Sequence, residues 1–463
     1  MLFNSLEFAL FLPLTLVIYH LVIPRRFWQA RKLFLVVASY LFYMSWNPFF
    51  GILLLGSTLV DFTMGLGLER TTGRLARRAL LLVSLAFNLG MLGYFKYGNF
   101  FAENVHRWLG HANPPMWDII LPVGISFYTF ESLAYTINVY RGERASRSLL
   151  DFALFLSFFP HLVAGPIVRP RAFLPQLTTP PAIAGTEVEE ALARIAQGFL
   201  KKVLLADVIG QYVDLVWKDM AYMPVGNVAL AFYAYAFQIY FDFSGYTDIA
   251  LGVTRLFGLV LPENFDRPYL AQSPREFWQR WHISLSTWLR DYLYVSLGGN
   301  RRGTVRTYVN LLLTMVLGGL WHGAAWTFVI WGAYHGTLLV VHRLIARDRD
   351  TPARGPTGTW LARAGMFHLV VLGWVFFRAP SFGDAMAAFG RLLVPGYAPI
   401  RVASEAGIVL VVGILLHCGP PARRVREWFI GLSPVAQGTA YAAATIVAFF
   451  IAPASERFIY FQF

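Results

Sequence analysis

Apolar stretches follow one another along the chain near 5–23, 33–46, 49–68, 79–97, 119–140, 149–167, 193–217, 225–261, 307–342, 365–377, 404–417 and 435–452. One bilayer crossing takes about 20 residues, and these lengths scatter on both sides of that, so the pattern predicts roughly 10–13 membrane elements. They should be helices, because a helix satisfies its own backbone groups in hydrocarbon. Residues 1–4 carry no basic side chain and no small-residue cleavage pattern follows His20, so the first stretch reads as an anchor, not a removable signal. The longest polar connections, 168–192, 262–306 and 343–364, fall short of the roughly 50 residues a domain needs. The expectation is an all-α polytopic membrane protein with a single domain over 1–463.

Two stretches depart from simple spans. Ser273-Pro274-Arg275-Glu276 combines a helix N-cap, a proline at the first helical position and a glutamate placed for a capping box. This predicts one helix running toward Gly298-Gly299-Asn300, with Trp278, His282, Leu285, Leu289 and Tyr292 on its apolar face. Six arginines against Glu276 and Asp291 place it at the cytoplasmic interface, as an anchor whose histidine bonds a carbonyl or as part of a site. The run 307–342 has no Asp, Glu, Lys or Arg in 36 residues. That is too long for one crossing and slightly short for two, which predicts a hairpin of short or re-entrant helices. Gly318-Gly319-Leu320-Trp321-His322-Gly323 falls near its middle, where glycine permits a break and close backbone approach.

Composition supports this picture. The 463 residues are 57% hydrophobic and 14% charged, against about 25% charged in soluble domains. The net charge of +13 raises nucleic-acid binding, which placement then excludes. Arg25, Arg26, Arg31 and Lys32 follow the first apolar stretch, Arg70, Arg74, Arg77 and Arg78 the third, and Arg141, Arg144 and Arg147 the fifth. Alternation of this kind is positive-inside topology and puts the N-terminus outside. The single cysteine, Cys418, rules out an internal disulfide or a cysteine-based zinc site within this chain.

An ionisable side chain inside a membrane segment is by default a functional candidate, and His322 is the sharpest one here. Imidazole accepts and returns a proton near neutral pH. A metal site has little support: on a continuous helix His322 and His335 would lie roughly 140° apart, and His335 and His342 about 10 Å apart along the axis. No G-x-S-x-G, P-loop or G-x-G-x-x-G occurs. Asp61, Glu131, Asp242 and Asp248 read either as a proton or substrate path or as partners in helix-to-helix hydrogen bonds.

Trp278-Gln279-Arg280-Trp281-His282-Ile283-Ser284-Leu285-Ser286, Trp288-Leu289-Arg290-Asp291-Tyr292 and Trp321-His322-Gly323-Ala324-Ala325-Trp326 closely resemble the paired signatures of the membrane-bound O-acyltransferases (MBOAT). Pro160-His161-Leu162-Val163-Ala164-Gly165-Pro166-Ile167, Tyr240-Phe241-Asp242-Phe243-Ser244-Gly245-Tyr246 and the terminal Phe458-Ile459-Tyr460-Phe461-Gln462-Phe463 extend the likeness over nearly the whole chain. More narrowly, it is similar to the branch that holds alginate O-acetyltransferases of the AlgI type and teichoic-acid D-alanyl transferases of the DltB type, and closer to the former. The resemblance implies a ring of helices around a thin centre, with the catalytic core at about 225–345. It implies His322 as the catalytic histidine and His282 as the second one, lining the cytoplasmic approach.

The implied reaction moves an acetyl group from a cytoplasmic thioester, acetyl-CoA or a carrier-linked one, toward hydroxyls of an exported polysaccharide such as alginate. Acetyl-CoA is a substrate in this reading, and no bound cofactor or metal is expected. Trp281, Trp321, Trp326, Arg275, Arg280, Arg290 and Asp291 are candidate substrate-binding residues, with Arg275, Arg280, Arg301 and Arg302 candidates for the donor's phosphates. The expected setting is a bacterial inner membrane, with a separate periplasmic acetyltransferase as partner. The rivals are D-alanyl transfer from a carrier protein, and a polysaccharide transporter or flippase in which Asp61 and Asp242 would matter more than His322.

Overall fold

The computed structural model describes residues 1–110, 116–346, 355–394, 404–451, 458 and 459. Among them every regular element is helical, as the apolar pattern requires. They fall into two compact units, Met1–Ala191 with Ala250–Pro262, and Leu192–Ile249 with Glu263–Phe463.

In the first unit Pro48–Arg70 begins with Asn47 capping the Phe49 N–H and proline in the first turn, and it packs against Arg74–Leu92 and Ile125–Tyr140. Its buried Asp61 accepts hydrogen bonds from Ser84, from Asn88 Nδ2 at 2.8 Å and from Thr136 Oγ1 at 3.1 Å. Glu131 accepts from the Val168 N–H at 2.8 Å and lies 3.1 Å from His161 Nδ1. Both acids therefore tie helices together, the second of the two roles the sequence left open.

The second unit holds the residues of the two histidine motifs. Four helices among the described residues are long and apolar enough to cross a bilayer, Pro48–Arg70, Arg74–Trp108, Trp326–Ile345 and Pro356–Arg378, and the bent pair Gly407–Cys418 and Ala422–Ile430 adds a fifth. Of the other apolar stretches, 225–261 and 435–452 carry single helices, Val225–Leu256 and Pro434–Ile451, and several more are interrupted. The stretch 149–167, for example, forms Leu149–Ser157 and Phe159–Leu162 instead of one span. Hydropathy counts apolar residues and is blind to where the backbone bends. The result is a multi-pass membrane protein with many broken elements.

Both special stretches differ from expectation in a definable way. Ser273 does cap Pro274–Arg280 by accepting the Glu276 N–H, but this helix stops at Arg280. Trp281 is extended, His282 is left-handed at φ 42°, and Ile283–Trp288 follows with a wide turn at Leu289–Tyr294. The break is held from outside: Asn264 O accepts the Ile283 N–H at 3.0 Å, and the Asp266 N–H donates to Arg280 O at 3.0 Å.

The charge-free run does form a hairpin, with longer arms than predicted. Thr304–His322 has 19 residues and Trp326–Ala346 has 21, or about 28 and 31 Å at 1.5 Å per residue. The turn is 323–325, so Gly318 and Gly319 remain helical. Their relative Gly332 shows why glycine is needed: a Cβ on Gly319 would stand 2.2 Å from Phe328 O, and one on Gly332 2.3 Å from Met315 O. Close packing of the two arms, not a hinge, explains Gly319 and Gly332, while a Cβ on Gly318 would stand 2.9 Å from Leu289 Cδ1.

Candidate active site

His322 is the last residue of the first hairpin arm and is buried at 5% exposure. Aromatic rings surround it: Trp321 at 5.0 Å between centroids, Trp331 at 5.1 Å and Phe377 at 5.2 Å, all edge to face. Trp331 stacks on Trp374 at 5.8 Å, and Trp374 lies 4.9 Å from Trp281. The three tryptophans are each 1% exposed. His335 also touches Trp331, at 4.9 Å between centroids. Among the described residues no group of three or more His, Cys, Asp or Glu side chains is placed to hold a metal ion.

His282 is fully buried, 4.7 Å from Phe243 and 6.1 Å from Trp321. Trp321 is thus a neighbour of both imidazoles. Asn264 Oδ1 takes the Ser284 N–H at 3.1 Å and the Ser284 hydroxyl at 3.0 Å, which identifies this atom as the amide oxygen. His282 Nδ1 stands 3.1 Å from the same oxygen and must be the N–H of the ring. Nε2 is then its basic nitrogen. The flanking helices have seven and six residues, too short to cross a bilayer, and burial pushes the His282 pKa down to about 3. The ring is neutral at working pH.

The structure gathers His322, Trp321, Trp281 and His282 in one buried aromatic region of the second unit. Other sequence candidates occupy more open positions. Arg275 is exposed, Arg280 is bound to Glu276 at 2.9 Å and Asp266 at 3.3 Å, and Arg290 pairs with Asp291 at 2.7 Å. Trp326, at 54% exposure, stands at the start of the second hairpin arm and is not part of the buried cluster. Arg301 and Arg302 are exposed at the end of the same amphipathic stretch.

Sequence reasoning missed Asn264, Trp331, Trp374 and Phe377. Trp331 and His335 are four apart on one helix face, a spacing that pairs them without revealing what they face. Asn264 carries no local signal, since it acts on a chain segment 18 residues away.

The remaining acids are also accounted for. Asp242 binds Lys202 Nζ at 2.7 Å and accepts the Ile459 N–H at 2.7 Å, while Lys202 also binds Asp207 at 2.7 Å. Asp248 binds Arg194 at 3.1 Å and Lys201 at 2.7 Å.

Residues 69–377 match the model of the membrane-bound O-acyltransferase family, MBOAT. The chain is 44% identical over 399 residues to "Probable alginate O-acetylase AlgI" of Pseudomonas putida, covering 85% of this chain and 80% of that protein. It is 36% identical over 406 residues to "Peptidoglycan O-acetyltransferase" of Helicobacter pylori, covering 81% and 76%. Identity to "Teichoic acid D-alanyltransferase" of Bacillus subtilis is 29% over 303 residues, covering 61% and 75%. With its buried histidine at the hairpin turn and a family match over two-thirds of its length, this chain belongs to the membrane-bound O-acyltransferase family and is an O-acyltransferase.

Proposed function

We propose that this enzyme transfers an acetyl group from acetyl-CoA, bound at the cytoplasmic side, toward hydroxyls of an exported polysaccharide, directly or through a periplasmic acetyltransferase. The bacterial inner membrane with the N-terminus outside is the setting that fits this direction of transfer. The observation that carries the reading is a buried imidazole at the tip of a membrane hairpin, in a chain 44% identical to a protein named as an alginate O-acetylase. A relative named for peptidoglycan supports the class, a glycan hydroxyl, more than any one polymer.

In the proposed reaction His322 accepts the proton of the acceptor hydroxyl as its oxygen attacks the thioester carbonyl. The tetrahedral adduct collapses, the C–S bond breaks, and the thiolate takes the proton from the imidazolium to leave as a free thiol. The aromatic walls exclude water, which would otherwise compete for the acyl group. His282 positions the donor through its Nε2 side, held in one tautomer by Asn264. Arg275, Arg301 and Arg302, being exposed, are available to the donor's phosphates.

Purified enzyme in vesicles, offered acetyl-CoA or an acyl-loaded carrier protein, tests this. Thiol release and acetyl ester on an oligosaccharide with acetyl-CoA are the expected result. Turnover with the carrier alone would replace acetyl-CoA as donor.

A further inference from the structure

A cavity of about 390 Å³ lies within the second unit beneath Ala422–Ile430. That is within the range of about 300–1,000 Å³ typical of small-molecule sites. Its floor is apolar and buried, including Leu205 at 8%, Tyr240 at 7% and Phe241 at 2% exposure. Its rim is apolar and exposed, with Leu415 and Trp428 each at 65%. A pocket with an apolar floor and an apolar stretch of rim, beside a helix whose outer residues Ile408, Val411 and Leu415 are all exposed aliphatics, opens toward lipid tails on that side.

The polar end is equally defined. Lys201, Arg267 and Arg426 line the cavity, and no carboxylate is among its described lining residues. Arg194 and Lys201 bind Asp248, Arg194 also binds Glu263, Arg267 lies 3.8 Å from Asp266, and Arg426 donates to Gln197 Oε1 at 3.1 Å. Arg280 also binds Asp266 and Glu276, so five cations stand against four carboxylates in this network, and Arg426 within it is 8% exposed. His417, 4% exposed, also lines the cavity. Its Nε2 accepts the Tyr269 N–H at 3.2 Å, so its own proton is on Nδ1 as a donor.

The bend above the cavity sets the depth. Gly407–Cys418 and Ala422–Ile430 meet at 92° across Gly419-Pro420-Pro421. The second helix carries Arg423 and Glu427 outward and paired at 2.7 Å, the pattern of a helix lying at the headgroup level.

We propose that this cavity is a binding site for an anionic phospholipid, its phosphodiester among Lys201, Arg267 and Arg426 and an acyl chain along the floor. The pantetheine arm of acetyl-CoA carries two polar amides along its length, whereas the buried part of this floor, Leu205 and Phe241 among it, matches the hydrocarbon of a lipid acyl chain.

Native mass spectrometry of the detergent-solubilised full chain, titrated with phosphatidylglycerol or phosphatidylcholine, tests the proposal. Two variants accompany the wild type: Arg426→Gln, which removes a cation, and Ala440→Trp, which places a large ring at an exposed lining position. The expected result is preferential retention of phosphatidylglycerol by the wild type, weakened about tenfold in Arg426→Gln, as loss of a charged hydrogen-bonding partner implies. Ala440→Trp should retain neither lipid at this site while eluting as a folded species. Equal retention of both lipids, or unchanged retention in Ala440→Trp, would overturn the proposal. Displacement of the lipid by acetyl-CoA would overturn it too, by making the cavity the donor site.

Discussion

His282 holds a backbone conformation, φ 42° and ψ 56°, that glycine and asparagine adopt far more readily than histidine. A strained residue persists where its surroundings over-determine it, and here Asn264 does so through both its side chain and its carbonyl. Asn264→Ala removes the acceptor shared by His282 and Ser284, and should destabilise the protein by about 1–3 kcal/mol. Activity should fall further than stability predicts, which paired thermal-unfolding and turnover measurements would show. The His282 pKa is lowered by burial from 6.5 to about 3, so the unfolded chain binds the extra proton first. Stability contributed by the neutral ring is therefore complete above pH 6.5 and is lost as pH falls from 6.5 toward 3. A His282→Asn variant should show a flatter decline in melting temperature across that window, and an identical decline would assign the acid sensitivity to other groups.

At the scale of elements, the hairpin arms are the most exacting fit. Alanine at Gly319 or Gly332 would drive a methyl into the backbone of the opposite arm, and should destabilise by about 1–3 kcal/mol as overpacking does. Gly90→Ala in Arg74–Leu92 meets nothing within 4 Å and should be neutral or stabilising. Unfolding in a detergent titration compares them directly. The hairpin was legible in the sequence because a charge-free run is a statement about solvent, and the Ser273 cap because its bonds are local. The break at His282 was not, because it depends on Asn264 and Asp266, which are remote in sequence beside the broken helix, while the glycines expected to break the hairpin run stay helical up to Gly319 because they pack on side chains and backbone that the pattern does not show. Trp331, Trp374 and Phe377 looked like any apolar helix face for the same reason. The low charge of the chain likewise announced a membrane protein without revealing how many of its helices are interrupted.

The distribution of charge over the whole molecule separates two roles for its buried ionisable groups. Lys202 is 1% exposed and holds Asp207 and Asp242 together, so Lys202→Met should leave two buried carboxylates unpaired and cost about 3–5 kcal/mol. Adding Asp242→Asn to that variant should restore part of the loss, as a double-mutant cycle would measure. A transporter would place its function in these acids. In this structure they hold neighbouring segments together, as Asp61 does, which favours the proposed role of the histidines over a transport path.

The most direct measurement is acetyl transfer by purified, reconstituted His322→Ala protein beside the wild type, with acetyl-CoA and an oligosaccharide acceptor. Loss of a general base lowers the rate by about 10²–10⁴-fold, so acetyl ester should fall to background while melting temperature and membrane insertion stay at wild-type values. Acetyl ester formed at the wild-type rate by the folded variant would contradict the account.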